Sequence, residues 1–105
     1  MPHNHVLEVA IFTVKAGFQG DMPALRAGLR QTLKDFPGLL EFCGYSPLAS
    51  AQQFADLAKW DCLANAEAAA RAFADGDPRF GAYMHAIDSL VFMGHFSPEL
   101  LGPDD

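Results

Sequence analysis

Residues 54–62 read Phe54-Ala55-Asp56-Leu57-Ala58-Lys59-Trp60-Asp61-Cys62. The run has the length and the boundaries of a β-strand, and an alanine-rich helical pattern starts directly after it. It holds the only tryptophan of the chain. Residues four apart in a strand share a face, so Asp56 and Trp60 point the same way. A carboxylate beside an indole on one sheet face suggests a pocket wall more than plain core.

Downstream, residues 63–75 (Leu-Ala-Asn-Ala-Glu-Ala-Ala-Ala-Arg-Ala-Phe-Ala-Asp) combine high helix propensity with little bulk. Leu63, Ala66, Ala70 and Phe73 would lie on the sheet, and the alanines permit close approach. Gly76 ends this helix, and Asp77-Pro78 reads as the cap and first-turn start of a short helix over 78–87. Residues 89–97 form a last strand, apolar on both faces, and Ser97-Pro98 opens an acidic tail.

Upstream, residues 47–53 make a loose hairpin connection back to a strand over 39–46. Leu40 and Phe42 take one face of it, and Glu41, Cys43 and Tyr45 take the other. Pro37-Gly38 stops a helix over 22–36. Its Met22, Leu25, Leu29, Leu33 and Phe36 make one apolar stripe, with Arg26, Arg30 and Lys34 on the opposite, wet side. Asp21 caps this helix, and Pro23 sits in the first turn, where a missing N–H costs nothing. Residues 16–20 are a turn, and residues 5–15 are a first strand, apolar on both faces except at Glu8.

The order is β-α-β-β-α-β. It predicts an α+β chain of ferredoxin-like type, a four-stranded antiparallel sheet with both helices on one face. A single domain over 1–105 is expected, with its core over about 5–97. Two helices cover one face only. Leu7, Val9, Ile11, Leu40 and Phe42 are the candidates for that side. Glu8, Ala10, Phe12, Cys43, Tyr45, Phe54, Ala58 and Trp60 would then form a face too apolar for water. A second copy packed sheet to sheet about a two-fold axis would cover it, so a homodimer is expected.

Half of the residues are hydrophobic, 19% are charged and the formal net charge is −6. That balance argues against nucleic acid or an anionic membrane as the main partner. No apolar run approaches the length of a membrane span. The start, Met-Pro-His-Asn-His, has neither the basic nor the apolar region of a secretory signal. A cytoplasmic protein is expected. Cys43 and Cys62 are too few for a disulfide framework and not spaced as a metal knuckle; two buried or semi-buried thiols are expected. His3 and His5 could chelate weakly, but no further ligand has suitable spacing, so no metal site is expected.

Three short segments carry a resemblance: the strand exit Val14-Lys15-Ala16-Gly17, the turn Trp60-Asp61-Cys62-Leu63 into the alanine-rich helix, and Asp77-Pro78-Arg79-Phe80. Together they resemble the antibiotic-biosynthesis-monooxygenase-like family of dimeric α/β barrels, over roughly residues 5–97. The resemblance implies a pocket between sheet and helices in each protomer, and sheets packed into a barrel at the dimer interface. It also implies oxidation of polycyclic aromatic phenols without metal or flavin, hence no cofactor. Family members use a pocket Tyr, Asn, Trp and Arg. Tyr45, Trp60 and Arg79 fall at or near three of these places, while Asp56 replaces the asparagine. An acid there repels a phenolate unless burial protonates it. Cys62 stands where a capping serine is common, which leaves Asp61 as the expected N-cap. Haem-degrading relatives use an Asn, a Trp and a His; Ala10, Phe73 and an offset His85 replace that set here, which counts against haem cleavage.

Each candidate has two readings. Trp60 is a pocket wall or ordinary core. Asp56 orients or deprotonates a substrate, or pairs with an arginine. Glu8, among Leu7 and Val9, should have a raised pKa if buried. His85 has Asp88 three residues on and the two could form an acid/base pair, or the imidazole could meet terminal carbonyls. His95 shares a face with Val91 and Met93, as a core or interface histidine or as a contact to substrate. Tyr45 binds a substrate oxygen or lies at the sheet edge; Arg79 covers a pocket mouth or sits on the surface. The expected catalytic set is Asp56, Trp60 and His85, with Tyr45, Arg79, Glu8, Phe12 and His95 binding substrate. The expected activity is cofactor-independent oxygenation of, or a proton transfer on, an apolar or aromatic small molecule. A non-enzymatic ligand-binding or stress-related barrel and a haem-binding protein are the alternatives.

Overall fold

A computed structural model of the chain describes residues 5–49 and 52–99. Strand β1 (Val6–Val14) leads through a 3-10 turn at Gln19–Asp21 to helix α1 (Met22–Leu33). A hairpin of β2 (Leu39–Tyr45) and β3 (Gln53–Trp60) follows, then α2 (Leu63–Ala74). A second 3-10 turn, Pro78–Phe80, opens a one-and-a-half-turn helix α3 (Gly81–Ala86), and β4 (Ile87–Phe96) closes the fold. The sheet order is β2-β3-β1-β4 with every neighbour antiparallel, which is the ferredoxin-like arrangement expected.

The local signals act much as their chemistry dictates. Pro23 stands in the first turn of α1. That helix ends three residues early because Asp35 and Phe36 bond back to Thr32 and Leu33, tightening its last turn. Gly38 (φ +91°) follows, and its carbonyl accepts the Asp61 N–H at 2.8 Å. A Cβ at Gly38 would collide with the Asp61 and Asn65 side chains, so the turn between α1 and β2 requires glycine there. The Asp77 carboxylate caps the second 3-10 turn by accepting the Arg79 N–H at 2.9 Å. Two caps differ from expectation. Asp21 precedes α1 without a side-chain cap bond. Cys62, not Asp61, is the N-cap residue of α2: its backbone is extended and its carbonyl accepts the Ala66 N–H at 3.1 Å, while Asp61 accepts from the Asn65 amide at 2.8 Å.

Strand faces are the main correction. Phe12, Phe54, Ala58 and Trp60 are buried beneath the helices, with Glu8 and Ala10 beside them, while Leu7, Val9 and Ile11 look out from the open face. Both parities of β1 are apolar, so alternation alone does not choose between them. Bulk decides: the large rings fill the layer under an alanine-rich helix that supplies little volume of its own. Strand β2 keeps the expected parity, with Phe42 buried and Tyr45 exposed. Leu40 is exposed because a bulge lets Leu39 and Glu41 pair with consecutive β3 residues and leaves Leu40 outside the ladder. Two further bulges make β4 longer than β1: Phe12 pairs with Leu90 and Ile11 with Phe92, so Val91 is extra, and Asp88 is extra between Ile87 and Ser89.

Helix α1 buries Met22, Leu29 and Leu33. Helix α2 buries Ala66 and Ala69, with Phe73 half-buried and Leu63 exposed instead of lying on the sheet. Cys43 is half-buried and Cys62 is exposed, so the second thiol is not the semi-buried one expected. Among the described residues no helix is long and apolar enough to cross a membrane. His3 and the last acidic residues lie outside the described residues.

Candidate functional site

Helix α2 reaches the sheet with alanines at 66, 69, 70 and 74, and short side chains cannot fill the space beneath them. A cavity of about 350 Å³ results. Its floor is the helix-facing side of the sheet: Ala10, Phe12, Phe42, Ala58 and Met93. Leu29 and Leu33 of α1, Ala69, Ala70 and Phe73 of α2, and Phe80 form the roof. Leu90 and Met93, both partly in solvent, mark where it opens along β4. Against this apolar lining stand Glu8, Asp56, Tyr83 and His95.

Asp56 is 8% exposed and fully engaged. One carboxylate oxygen accepts from Arg26 Nε at 3.0 Å and lies 2.9 Å from Arg26 Nη2. The other accepts from the Tyr83 hydroxyl. Arg26 also donates to the Tyr45 carbonyl at 2.8 Å and the Ala55 carbonyl at 3.2 Å, with its guanidinium over the Phe54 ring. It leaves the wet side of α1 and lies across the edge of the hairpin. Gly44, opposite Asp56 in the ladder, is what lets it pass, since a Cβ there would fall on the Arg26 side chain. Burial raises the Asp56 pKa, and the Tyr83 and Arg26 bonds oppose that rise. Tyr83 is pushed far up by its own burial and by the adjacent carboxylate, so its hydroxyl stays protonated and donates.

Glu8 and His95 are a cross-strand pair on β1 and β4, with Glu8 Oε1 3.3 Å from His95 Nε2. Their side chains keep 19% and 21% of their surface in solvent. Burial raises the Glu8 pKa and nearby Asp56 adds to this, while His95 and the Trp60 N–H work against it. Trp60 is 1% exposed, and its indole N–H has no partner in hydrogen-bonding geometry among the described residues. It lies beneath the cavity on the Glu8 side, in the core, not in the wall.

Of the residues anticipated from sequence, Asp56, Glu8, Phe12 and His95 converge on the cavity. Tyr45 is on the open sheet face, where contact with Cys43 raises its pKa. Arg79 stacks on Phe36 and grips Asp77 at 2.8 Å, which lowers the Asp77 pKa and raises its own. His85 is exposed against the edge of Phe18, and among the described residues no hydrogen bond joins it to Asp88. None of these three lines the cavity. Tyr83 and Arg26 are the additions. Arg26 is invisible to periodicity, which sees only its solvent-side position. Among the described residues no three His, Cys, Asp or Glu side chains converge as metal ligands would.

The same architecture recurs in known structures. A Bordetella bronchiseptica protein named for the antibiotic biosynthesis monooxygenases superposes with a TM-score of 0.79. It covers 92% of this chain and 99% of its own, at 18% identity. The chain shares the ferredoxin-like fold of this protein. SnoaB of Streptomyces nogalater, a cofactor-independent oxygenase, shares that fold with a TM-score of 0.72 and 20% identity, covering 95% of this chain and 98% of its own. A Deinococcus radiodurans protein named for the same monooxygenases has it too, at 0.69 and 16% identity, over 92% of this chain and 96% of its own. No family model and no curated protein sequence matches the chain.

Proposed function

We propose that the chain is a cofactor-independent monooxygenase for an apolar, aromatic small molecule, and that it works as a homodimer. The cavity carries this reading: about 350 Å³ of apolar space in which, among the described residues, polar side chains occur only as Asp56–Tyr83 and Glu8–His95. Small-molecule sites of roughly 300–1,000 Å³ have this make-up, a greasy lining with few convergent polar groups. Phe12, Phe42 and Phe73 would hold a fused ring by burial and offset stacking. The Tyr83 oxygen, its proton already donated to Asp56, can accept a hydrogen bond from a ring O–H. The net reaction converts a ring CH2 to a carbonyl. Dioxygen supplies one oxygen atom to the ring, and the other leaves as water with the two hydrogens. That SnoaB, with the same fold, is a cofactor-independent oxygenase supports this class of chemistry.

The open sheet face supports the dimer. Phe92 and Phe96 stack across Gly94 and stay nearly half exposed, next to Leu7, Val9 and Ile11. A second copy meeting that face would bury both patches at once.

A panel of anthrone- and quinol-type compounds tests the reading, through dioxygen uptake and product absorbance with the wild type, Asp56→Ala and Trp60→Phe. Neither binding nor turnover of any member would remove it. A second reading, a binding protein without chemistry, is favoured by one observation: both Asp56 oxygens are already satisfied by Arg26 and Tyr83. Tight binding with no dioxygen uptake would decide for that one.

A further inference from the structure

We propose that Glu8 is the proton acceptor of this site and that His95 passes the proton from Glu8 to solvent, so that the substrate must carry a weakly acidic C–H or O–H at the β1–β4 end of the cavity. The inference rests on the oxygenase reading above and adds to it the base and the orientation of the ligand.

Two carboxylates face the same cavity, and their surroundings separate their roles. Asp56 has both oxygens engaged, one by a guanidinium and one by a phenol. To take a proton it would have to give up a charge-assisted bond in a dry site. Glu8 has one oxygen 3.3 Å from His95 Nε2, and among the described residues the Trp60 N–H beside its carboxylate lies outside hydrogen-bonding geometry, so Oε2 can still accept. The ionisable side chains facing the cavity are Glu8 from β1, Asp56 from β3, Tyr83 from α3 and His95 from β4; α1 and α2 contribute apolar groups to the lining. Burial makes Glu8 a stronger base than an ordinary carboxylate, which suits it to a weakly acidic ring position.

His95 supplies what a buried base lacks, an exit. Its strand is the edge of the sheet, and a fifth of its side chain is in solvent. Imidazole accepts at one nitrogen and releases at the other, so once the Glu8 carboxyl turns its protonated oxygen toward His95 Nε2 the proton can move on. In the step itself the substrate C–H or O–H bond breaks, its electron pair stays on the ring as enolate or phenolate, and an O–H bond forms at Glu8 Oε2. The proton held on the Glu8–His95 pair offsets the new negative charge, which would otherwise lie between two carboxylates. The anion is then the electron donor to dioxygen.

Proton transfer can be measured without oxidation. Under nitrogen in deuterated buffer, anthrone exchanges its ring CH2 hydrogens only as fast as a base removes them, and proton NMR follows the loss. Anaerobic quenching of tryptophan fluorescence gives anthrone affinity in the same samples. The expected result is exchange catalysed by the wild type. Glu8→Gln should bind anthrone within about threefold and exchange it about 10²–10⁴-fold more slowly, the usual worth of a positioned base. His95→Gln should exchange more slowly, lose the wild-type pH profile and recover with added imidazole. If Glu8→Gln does not fold, Glu8→Asp carries the test, since retracting the carboxylate by one methylene should slow exchange at unchanged affinity. Exchange by Glu8→Gln or Glu8→Asp within threefold of the wild type overturns the assignment and leaves the oxygenase reading standing. Wild type that binds anthrone without exchanging it does the same. Failure to bind any anthrone or quinol removes both.

Discussion

Replacing Arg26 by methionine tests the polar end of the cavity. Methionine keeps much of the length of the stem while removing the guanidinium, and with it the stacking on Phe54. Asp56 then loses two donors at about 3 Å and keeps only the Tyr83 hydroxyl. Taking one partner from a buried ion pair costs about 3–5 kcal/mol, because the remaining charge has no water to return to. At roughly 4 °C per kcal/mol for a chain of this size, the melting temperature falls by about 12–20 °C. The loss depends on pH. Burial already raises the Asp56 pKa, and without Arg26 it rises further, so below the variant's raised value and above the wild-type one each unit of acidification returns up to about 1.4 kcal/mol. Urea unfolding at fixed protein concentration, followed by the fluorescence of the buried Trp60, measures it. Arg26→Met combined with Asp56→Asn keeps an acceptor for Tyr83 and removes the stranded charge, so it should recover most of the stability. An Arg26→Met protein within about 0.5 kcal/mol of the wild type at pH 7.5, or equally weakened at pH 4.5, would refute the reasoning.

Glu8→Gln acts in the opposite sense on stability. A carboxyl whose folded pKa lies above its ordinary 4.5 weakens the fold when ionised, and that penalty disappears as the pH falls through the raised value. The variant should therefore melt above the wild type at pH 8, with the gap closing toward pH 4.5; a gap independent of pH would contradict the burial argument. Tyr83→Phe leaves one Asp56 oxygen bare and should cost about 1–3 kcal/mol by urea unfolding. Ala70→Leu fills the cavity from α2, with an expected gain of about 0.5–2 kcal/mol and loss of anthrone affinity. Phe92→Glu puts a charge in the exposed aromatic patch of the open face and should convert a sedimenting dimer to monomer while leaving helix content unchanged; a wild type that sediments as an 11.4 kDa particle at nanomolar concentration would refute the dimer outright.

The architecture was legible because each element announces itself separately. The 22-25-29-33 stripe, Pro23, Gly38 and the Asp77-Pro78 cap give period and punctuation, and β-α-β-β-α-β order admits few sheets. Strand parity was not legible. When Leu7, Val9 and Ile11 compete with Glu8, Ala10 and Phe12 for the covered side, hydropathy favours the aliphatic three and three-dimensional volume overrides it. The Asp56–Trp60 coincidence did point to the right face of β3. What it could not give was the partner, because Arg26 crosses from a helix position that reads as solvent. Gly44 was the available clue, a glycine inside a strand with no turn to explain it. Tyr45 and Arg79 were drawn in by resemblance of spacing alone, and at 16–20% identity spacing along the chain does not guarantee a place in the cavity.

The spare residue at Val91 has a consequence for how such a chain can change. Leu90 and Met93 are three apart yet both face the cavity, which strict alternation forbids and the bulge permits. Losing Val91 would leave them two apart, still on one side, with His95 still across from Glu8. Losing Met93 or Gly94 instead would slide Phe96 opposite Glu8 and turn the imidazole outward. Insertions and deletions in β4 are thus buffered at one rung and ruinous two rungs later, although Val91 and Met93 are both apolar.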